Sequence, residues 1–166
     1  MRFQGALAMG EDGRGADVLV TLGTNGHIAN GVTNITSGQG LIIIGADAGA
    51  RPPWQGAFDV LGGKLVLVRV EMAHDVDAAK SAITVTADGR LAAAGCVLKN
   101  QKASKGGAVY VKSGTASFTG CTLAYNAASN KGGAVCVDSG TAAAAFTGCT
   151  LAHNKADFPD GQGGAV

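Results

Sequence analysis

The chain has little of what announces a reaction or an address. Charged residues make up 15% of its 166, and the net charge is +1, a balance that argues against a nucleic-acid or other polyanion-binding surface. No apolar run is long enough to span a bilayer as a helix. Residues 1–15 (MRFQGALAMGEDGRG) hold one brief apolar patch broken by glycines and acids, where a secretory signal has an apolar core of roughly 7 to 15 residues and a small-residue cleavage site. Four cysteines are too sparse for a disulfide scaffold. Gly-x-Ser-x-Gly and a phosphate-binding glycine loop are both missing, and Gly38-Gln-Gly40 reads as a turn, so no cofactor is expected.

What the chain does have is glycine, 27 of them, and repetition. Gly-Gly-Ala-Val stands at 106–109, 132–135 and 163–166, and FTGCTLAYN at 118–126 returns at 146–154 with only Tyr125 replaced, by His153. Gly38, Gly63, Gly89, Gly114 and Gly140 follow one another at 25, 26, 25 and 26 residues, each in a turn-like context. Before the later glycines lie short alternating runs at 57–60 (AFDV), 82–85 (AITV), 108–111 (AVYV) and 134–137 (AVCV), a strand pattern. Second runs follow at 41–44, 65–72, 91–98, 118–123 and 146–151. A unit of this size with no helical periodicity excludes a leucine-rich repeat and predicts stacked coils. The expected fold is all-β, a right-handed single-stranded parallel β-helix of about five coils over residues 16–166, preceded by an irregular segment at 1–15. The sequence ends inside a strand at Gly163-Gly-Ala-Val166 without a polar cap, so it reads as part of a longer exported chain.

Stacking places like on like, roughly 4.8 Å apart. The first strand then gives inward columns Phe58, Ile83, Val109, Val135 and Val60, Val85, Val111, Val137. The second gives Leu67, Ala93, Phe118, Phe146, then Val70, Cys96, Cys121, Cys149, then Met72, Leu98, Leu123, Leu151. Asn100, Asn126 and Asn154 predict an amide ladder at the next turn. The three stacked cysteines are expected as buried thiols, although a Cys96–Cys121 or Cys121–Cys149 bridge is within reach in an oxidising compartment.

The outward column reads Asn34, Asp59, Thr84, Tyr110, Cys136, with Thr86, Lys112 and Asp138 beside it. Asp59, Thr84, Tyr110, Lys112 and Asp138 are therefore candidate binding residues. Cys136 is expected to be the exposed, fast-reacting thiol. Asn34-Ile-Thr36 is an N-glycosylation sequon. The segments 45–56, 73–81, 99–105, 124–131 and 152–162 all follow the second strand and should project from one corner, where loops carry binding sites. The first of them holds Arg51 and Trp54, which could bind a sugar or a partner, but a Trp54 that caps the core is the favoured reading. His27 reads as a turn residue. Glu71, His74, Asp75 and Asp77 supply oxygen ligands without the spacing of a calcium loop, so no metal site is assigned. Of the outward residues only Asp59 could serve as a catalytic carboxylate, with no second one in the adjacent coil.

Leu123-Ala-Tyr-Asn126 followed by Gly132-Gly-Ala-Val135 resembles the repeat of the polymorphic outer membrane protein family, whose paired signatures are Phe-x-x-Asn and Gly-Gly-Ala-Ile. Leu123 and Leu151 stand at the family's Phe, and Val109, Val135 and Val166 at its Ile. The resemblance covers about 95–166; upstream, 16–90 is similar only in the general manner of pectin-lyase-like β-helices. It implies a non-enzymatic extracellular or cell-surface scaffold, adhesin-like, recognising carbohydrate or a surface protein. The competing class is a polysaccharide lyase or hydrolase of the pectin-lyase-like type.

Overall fold

The computed structural model describes residues 17–21, 31–45, 53–73, 80–138, 140–157 and 165–166, and every regular element among them is a strand. The strands form four sheets. The first holds Val32–Thr36, Ala57–Leu61, Ile83–Thr86, Val109–Val111 and Val135–Val137; the second holds Asp17–Thr21, Gly40–Ile44, Lys64–Val68, Arg90–Ala94, Thr115–Thr119 and Ala143–Thr147. The third holds Pro53–Trp54, Glu71–Met72, Val97–Lys99, Thr122–Ala124 and Thr150–Ala152, and the fourth Lys102–Lys105, Ala127–Lys131 and Lys155–Ala156. The chain visits the sheets in turn, and every strand pairing joins successive coils in parallel. The molecule is an all-β parallel β-solenoid of about five turns.

The register is the one the repeats predict. Phe58 pairs with Ile83, Ile83 with Val109 and Val109 with Val135, while Val60, Val85, Val111 and Val137 form the next file. Leu67, Ala93, Phe118 and Phe146 stack in the second sheet, and Met72, Leu98, Leu123 and Leu151 in the third. These inward side chains form one continuous core, with the Phe118 and Phe146 rings stacked at 5.0 Å. Burying each larger one contributes roughly 1.5 to 3 kcal/mol. Cys96, Cys121 and Cys149 sit in their predicted file as free thiols, each directed at a carbonyl of the preceding coil: Leu67 O at 3.4 Å, Ala93 O at 3.3 Å and Phe118 O at 3.3 Å.

The corners explain the glycines. Between the second and third sheets the backbone turns at Arg69, Gly95, Gly120 and Gly148, all with φ between 54° and 60°. Between the third and fourth it turns at Asn100, Tyr125 and His153, and between the fourth and first at Gly106 and Gly132, again left-handed. At Gly106 a β-carbon would lie 2.0 Å from Val109 O, and at Gly107 2.5 Å from Gly133 O. Gly-Gly-Ala-Val is thus a corner that only glycine can turn.

Two expectations need correction. The amide ladder runs through Gln101, Asn126 and Asn154 rather than Asn100. Gln101 N donates to Asn126 Oδ1 (3.1 Å) and Asn126 N to Asn154 Oδ1 (3.0 Å), while Asn126 Nδ2 donates to Leu98 O (3.0 Å). Asn100 instead shares the left-handed corner file with Tyr125 and His153; the longer Gln101 side chain stands where an Asn would have kept the repeat visible. Second, 99–105 and 124–131 are more than projecting loops: each contains a strand of the fourth sheet, which carries a bulge between Ala103 and Lys105. Coil length is not constant either. Two more residues lie between Val137 and Phe146 than between Val111 and Phe118, yet both pairs of strands stay in register.

Candidate functional site

Asn34, Asp59, Thr84, Tyr110 and Cys136 do form one outward file on the first sheet, each paired with the next. Strand alternation does this: with the β-branched and aromatic residues on either side turned inward, the middle residue of each strand must face out. Asn34 stands exposed beside Asp59.

Where this face meets the corner from the fourth sheet, a cleft of about 400 Å³ opens. It is lined by Asp59, Thr84 and Tyr110 from the file and by Lys80, Ser81, Ser104 and Lys105 from the corner segments. Ser81 is buried and donates through Oγ to Lys105 O (2.7 Å), which pins one coil's corner to the next. Tyr110 Oη donates to Asp138 Oδ2 at 2.6 Å, and Lys105 Nζ donates to Tyr110 Oη at 3.5 Å and lies 3.9 Å from Asp138 Oδ2. The Lys105 ammonium also sits 5.3 Å from the Tyr110 ring centroid, an attractive cation–π arrangement. The hydrogen bond to Tyr110 and the nearby Asp138 charge raise the Lys105 pKa. Burial first, and then the hydrogen bond to Asp138, raise that of the Tyr110 phenol. Both groups hold their protons at neutral pH, as an ordinary phenol and ammonium do, and the shifts extend this further into the alkaline range. Among the described residues the cleft offers one carboxylate, one phenol, two amines and three hydroxyls, an arrangement suited to hydrogen-bonding a polar ligand.

Of the residues singled out from sequence, Asp59, Thr84, Tyr110 and Asp138 come together here. Lys112 does not line the cleft; it is an exposed residue just past Val111, with its N–H bonded to Val85 O. Trp54 is core: 4% exposed, stacked on Phe58 at 5.0 Å and paired in register with Met72, its ring is closed to a ligand. Arg51, His74, Asp75 and Asp77 lie outside the described residues, while Glu71 forms an ion pair with Lys99 at 2.9 Å.

Cys136 reverses expectation. It occupies the outward file but is only 6% exposed, and burial raises its thiol pKa in the company of Lys105, Asp138 and Lys131. Alternation chooses a face; it does not reveal how much of that face is left open to solvent. The half-buried Cys149 is the most accessible of the four thiols.

Sequence reasoning missed Lys80, Ser81, Ser104 and Lys105. A signal for Lys105 was present: the repeated corner is Lys-Gly-Gly-Ala-Val, with Lys105 and Lys131 at equivalent places. It also missed an exposed aromatic pair at the corner between the third and fourth sheets, where the Tyr125 and His153 rings stack at 4.8 Å.

Fold and site together define a parallel β-solenoid with a polar cleft on one outward face. No family model matches the chain, and neither a curated protein nor a solved structure matches it.

Proposed function

We propose that the chain is a non-enzymatic recognition scaffold of the cell surface or secreted space, similar in its repeats to the polymorphic outer membrane proteins, and that the Asp59–Thr84–Tyr110 cleft binds carbohydrate or a surface protein. The observation that carries this reading is the make-up of the cleft: among the described residues, hydroxyls and ammonium groups surround a single carboxylate, Asp59. A lyase needs a base to withdraw a proton next to the uronate carboxyl, and the Tyr110 phenol and Lys105 ammonium, both with raised pKa values, are poor bases at neutral pH. A hydrolase needs paired carboxyls across the scissile bond; among the described residues Asp59 is the one carboxylate lining this cleft, and Asp138 is engaged by Tyr110. Multiple neutral and charged hydrogen-bonding groups on a rigid sheet suit binding without turnover.

The test pairs two measurements on the same protein. Incubation with polygalacturonate should release no unsaturated uronate, followed by its ultraviolet absorbance. A glycan array should retain the protein, with the signal lost in Asp59→Ala/Tyr110→Ala. Uronate release abolished by Tyr110→Phe would replace binding with lyase chemistry.

A further inference from the structure

We infer that the fourth sheet is a second recognition surface, an open trough for a linear anionic glycan laid along the solenoid axis. The inference rests on the recognition reading above and extends it from a cleft to a face. Of the eight lysines in the chain, Lys99, Lys102, Lys105, Lys131 and Lys155 lie on this sheet or its borders within three successive coils. The whole-chain balance of +1, which argued against a polyanion partner, averages this clustering away.

The register sets the pattern. Lys102, Ala127 and Lys155 share one file, and Lys105 and Lys131 share another. Lys102 and Lys155 are thus two rungs apart, about 10 Å, and Lys105 and Lys131 one rung, about 5 Å, at the usual strand spacing. Between them the side chains turned away from the core are small: Ser104, Ala127 and Ser129. Ala103 and Ala128 point in and are buried. The floor is therefore low, and the lysines rise from it.

Both borders carry aromatic rings. On one side Tyr125, 60% exposed, stacks on exposed His153; on the other stands Tyr110 with Lys105 over its ring. Tyr125 and His153 hold left-handed backbone angles of 56° and 55°, a conformation that is strained for bulky residues and tends to persist where it is useful. Such rings present flat apolar faces with polar edges, as a pyranose requires.

The lysines without a carboxylate partner select an anionic chain. Glu71 pairs with Lys99, Asp138 lies near Lys105 and Asp157 pairs with Lys155, while no carboxylate among the described residues lies within ion-pair distance of Lys102 or Lys131. Two lysines without a carboxylate partner among the described residues, set between borders that carry rings, suit a sugar chain bearing sulfate or carboxylate groups, whose pyranose faces can lie on the rings.

The experiment uses the full chain, with heparin as the sulfated probe and hyaluronate as the carboxylate-only probe, in low-salt binding titrations. Wild-type protein should bind heparin and weaken as salt rises. Lys102→Ala/Lys131→Ala/Lys155→Ala should bind roughly 10-fold or more weakly, three exposed charges having been removed. Asp59→Ala/Thr84→Ala, which alters only the cleft, should bind heparin at least as tightly as wild type does, which separates this face from the cleft. Tyr125→Ala should weaken binding without changing its salt dependence. Hyaluronate binding would identify carboxylate as sufficient, and heparin binding alone would assign the surface to sulfate; both support the inference. Circular dichroism confirms that each variant is folded. Absence of binding to either glycan overturns the inference, as does a triple variant that binds like wild type. An oligothymidylate that binds as tightly as heparin also overturns it, in favour of nucleic acid.

Discussion

At the scale of single residues, the groups around Tyr110 link stability to pH. The phenol of Tyr110 and the thiol of Cys136 are raised chiefly by burial, and Lys105 is raised by its hydrogen bond to Tyr110. In all three the folded protein holds the proton more tightly than the unfolded chain does. Their contribution is fully present below the ordinary values of 9.0 for the thiol, 10.0 for the phenol and 10.5 for the ammonium, and is lost as pH rises through the raised values. Cys96 and Cys121 shift in opposite senses around a shared thiol contact, Cys96 upward and Cys121 down to about 6, so the buried Cys96 proton adds to the Tyr110 cluster on the alkaline side. Thermal melts followed by circular dichroism should show the midpoint falling as the solution is made alkaline beyond the thiol's ordinary range. Tyr110→Phe should flatten part of that fall, and an unaltered slope would remove Tyr110 from the linkage.

At the scale of elements, the corners hold the coils to their path, and glycines in two of them make a direct comparison. Gly106 and Gly148 have nearly the same backbone angle, φ 55° and 60°, but a β-carbon at Gly106 meets Val109 O and Cys136 N, whereas at Gly148 it meets nothing within 4 Å. Gly148→Ala should therefore cost about 1 to 2 kcal/mol, the left-handed penalty alone. Gly106→Ala adds a backbone clash and should cost about 3 kcal/mol or more. Urea unfolding of the two variants measures the difference, and equal losses would show that the close approach at Gly106 is relieved at no cost. These corners also mark what was legible in the sequence. The inward files of the first two sheets were readable because each repeats an apolar residue at a fixed offset from a glycine. The fourth sheet was not: its strands KASK, AASNK and KA are short and polar, and their buried members are alanines, which leave no hydrophobic signal. Gln101 broke the amide pattern for the same reason, since its function survived a change of residue type. The cleft was half legible. Asp59, Thr84 and Tyr110 came from alternation, but their lysine and serine neighbours arrive from a corner whose path the spacing alone did not specify.

At the scale of the whole molecule, each coil touches only the coils before and after it, so stability is a sum of neighbouring interfaces. The middle of the stack has a neighbour on both sides. Phe118, Cys121 and Leu123 are each at most 1% exposed, while their counterparts Phe146, Cys149 and Leu151 in the last described coil are half-buried. Native-state hydrogen exchange should therefore be slowest for strand amides in Lys64–Val68, Ile83–Thr86 and Val109–Val111. It should be faster by orders of magnitude in Ala143–Thr147 and Thr150–Ala152, whose amides open without breaking the centre. Uniform protection from end to end would mean the stack opens as a single unit.

The two additional residues between Val137 and Phe146 leave the strands on either side of them undisturbed. Insertions at that seam are thus absorbed locally, like slack taken up in one link of a chain. Evolution can lengthen or decorate the seam while every rung keeps its partner, so the outer surface is free to diversify on an inner frame that stays the same.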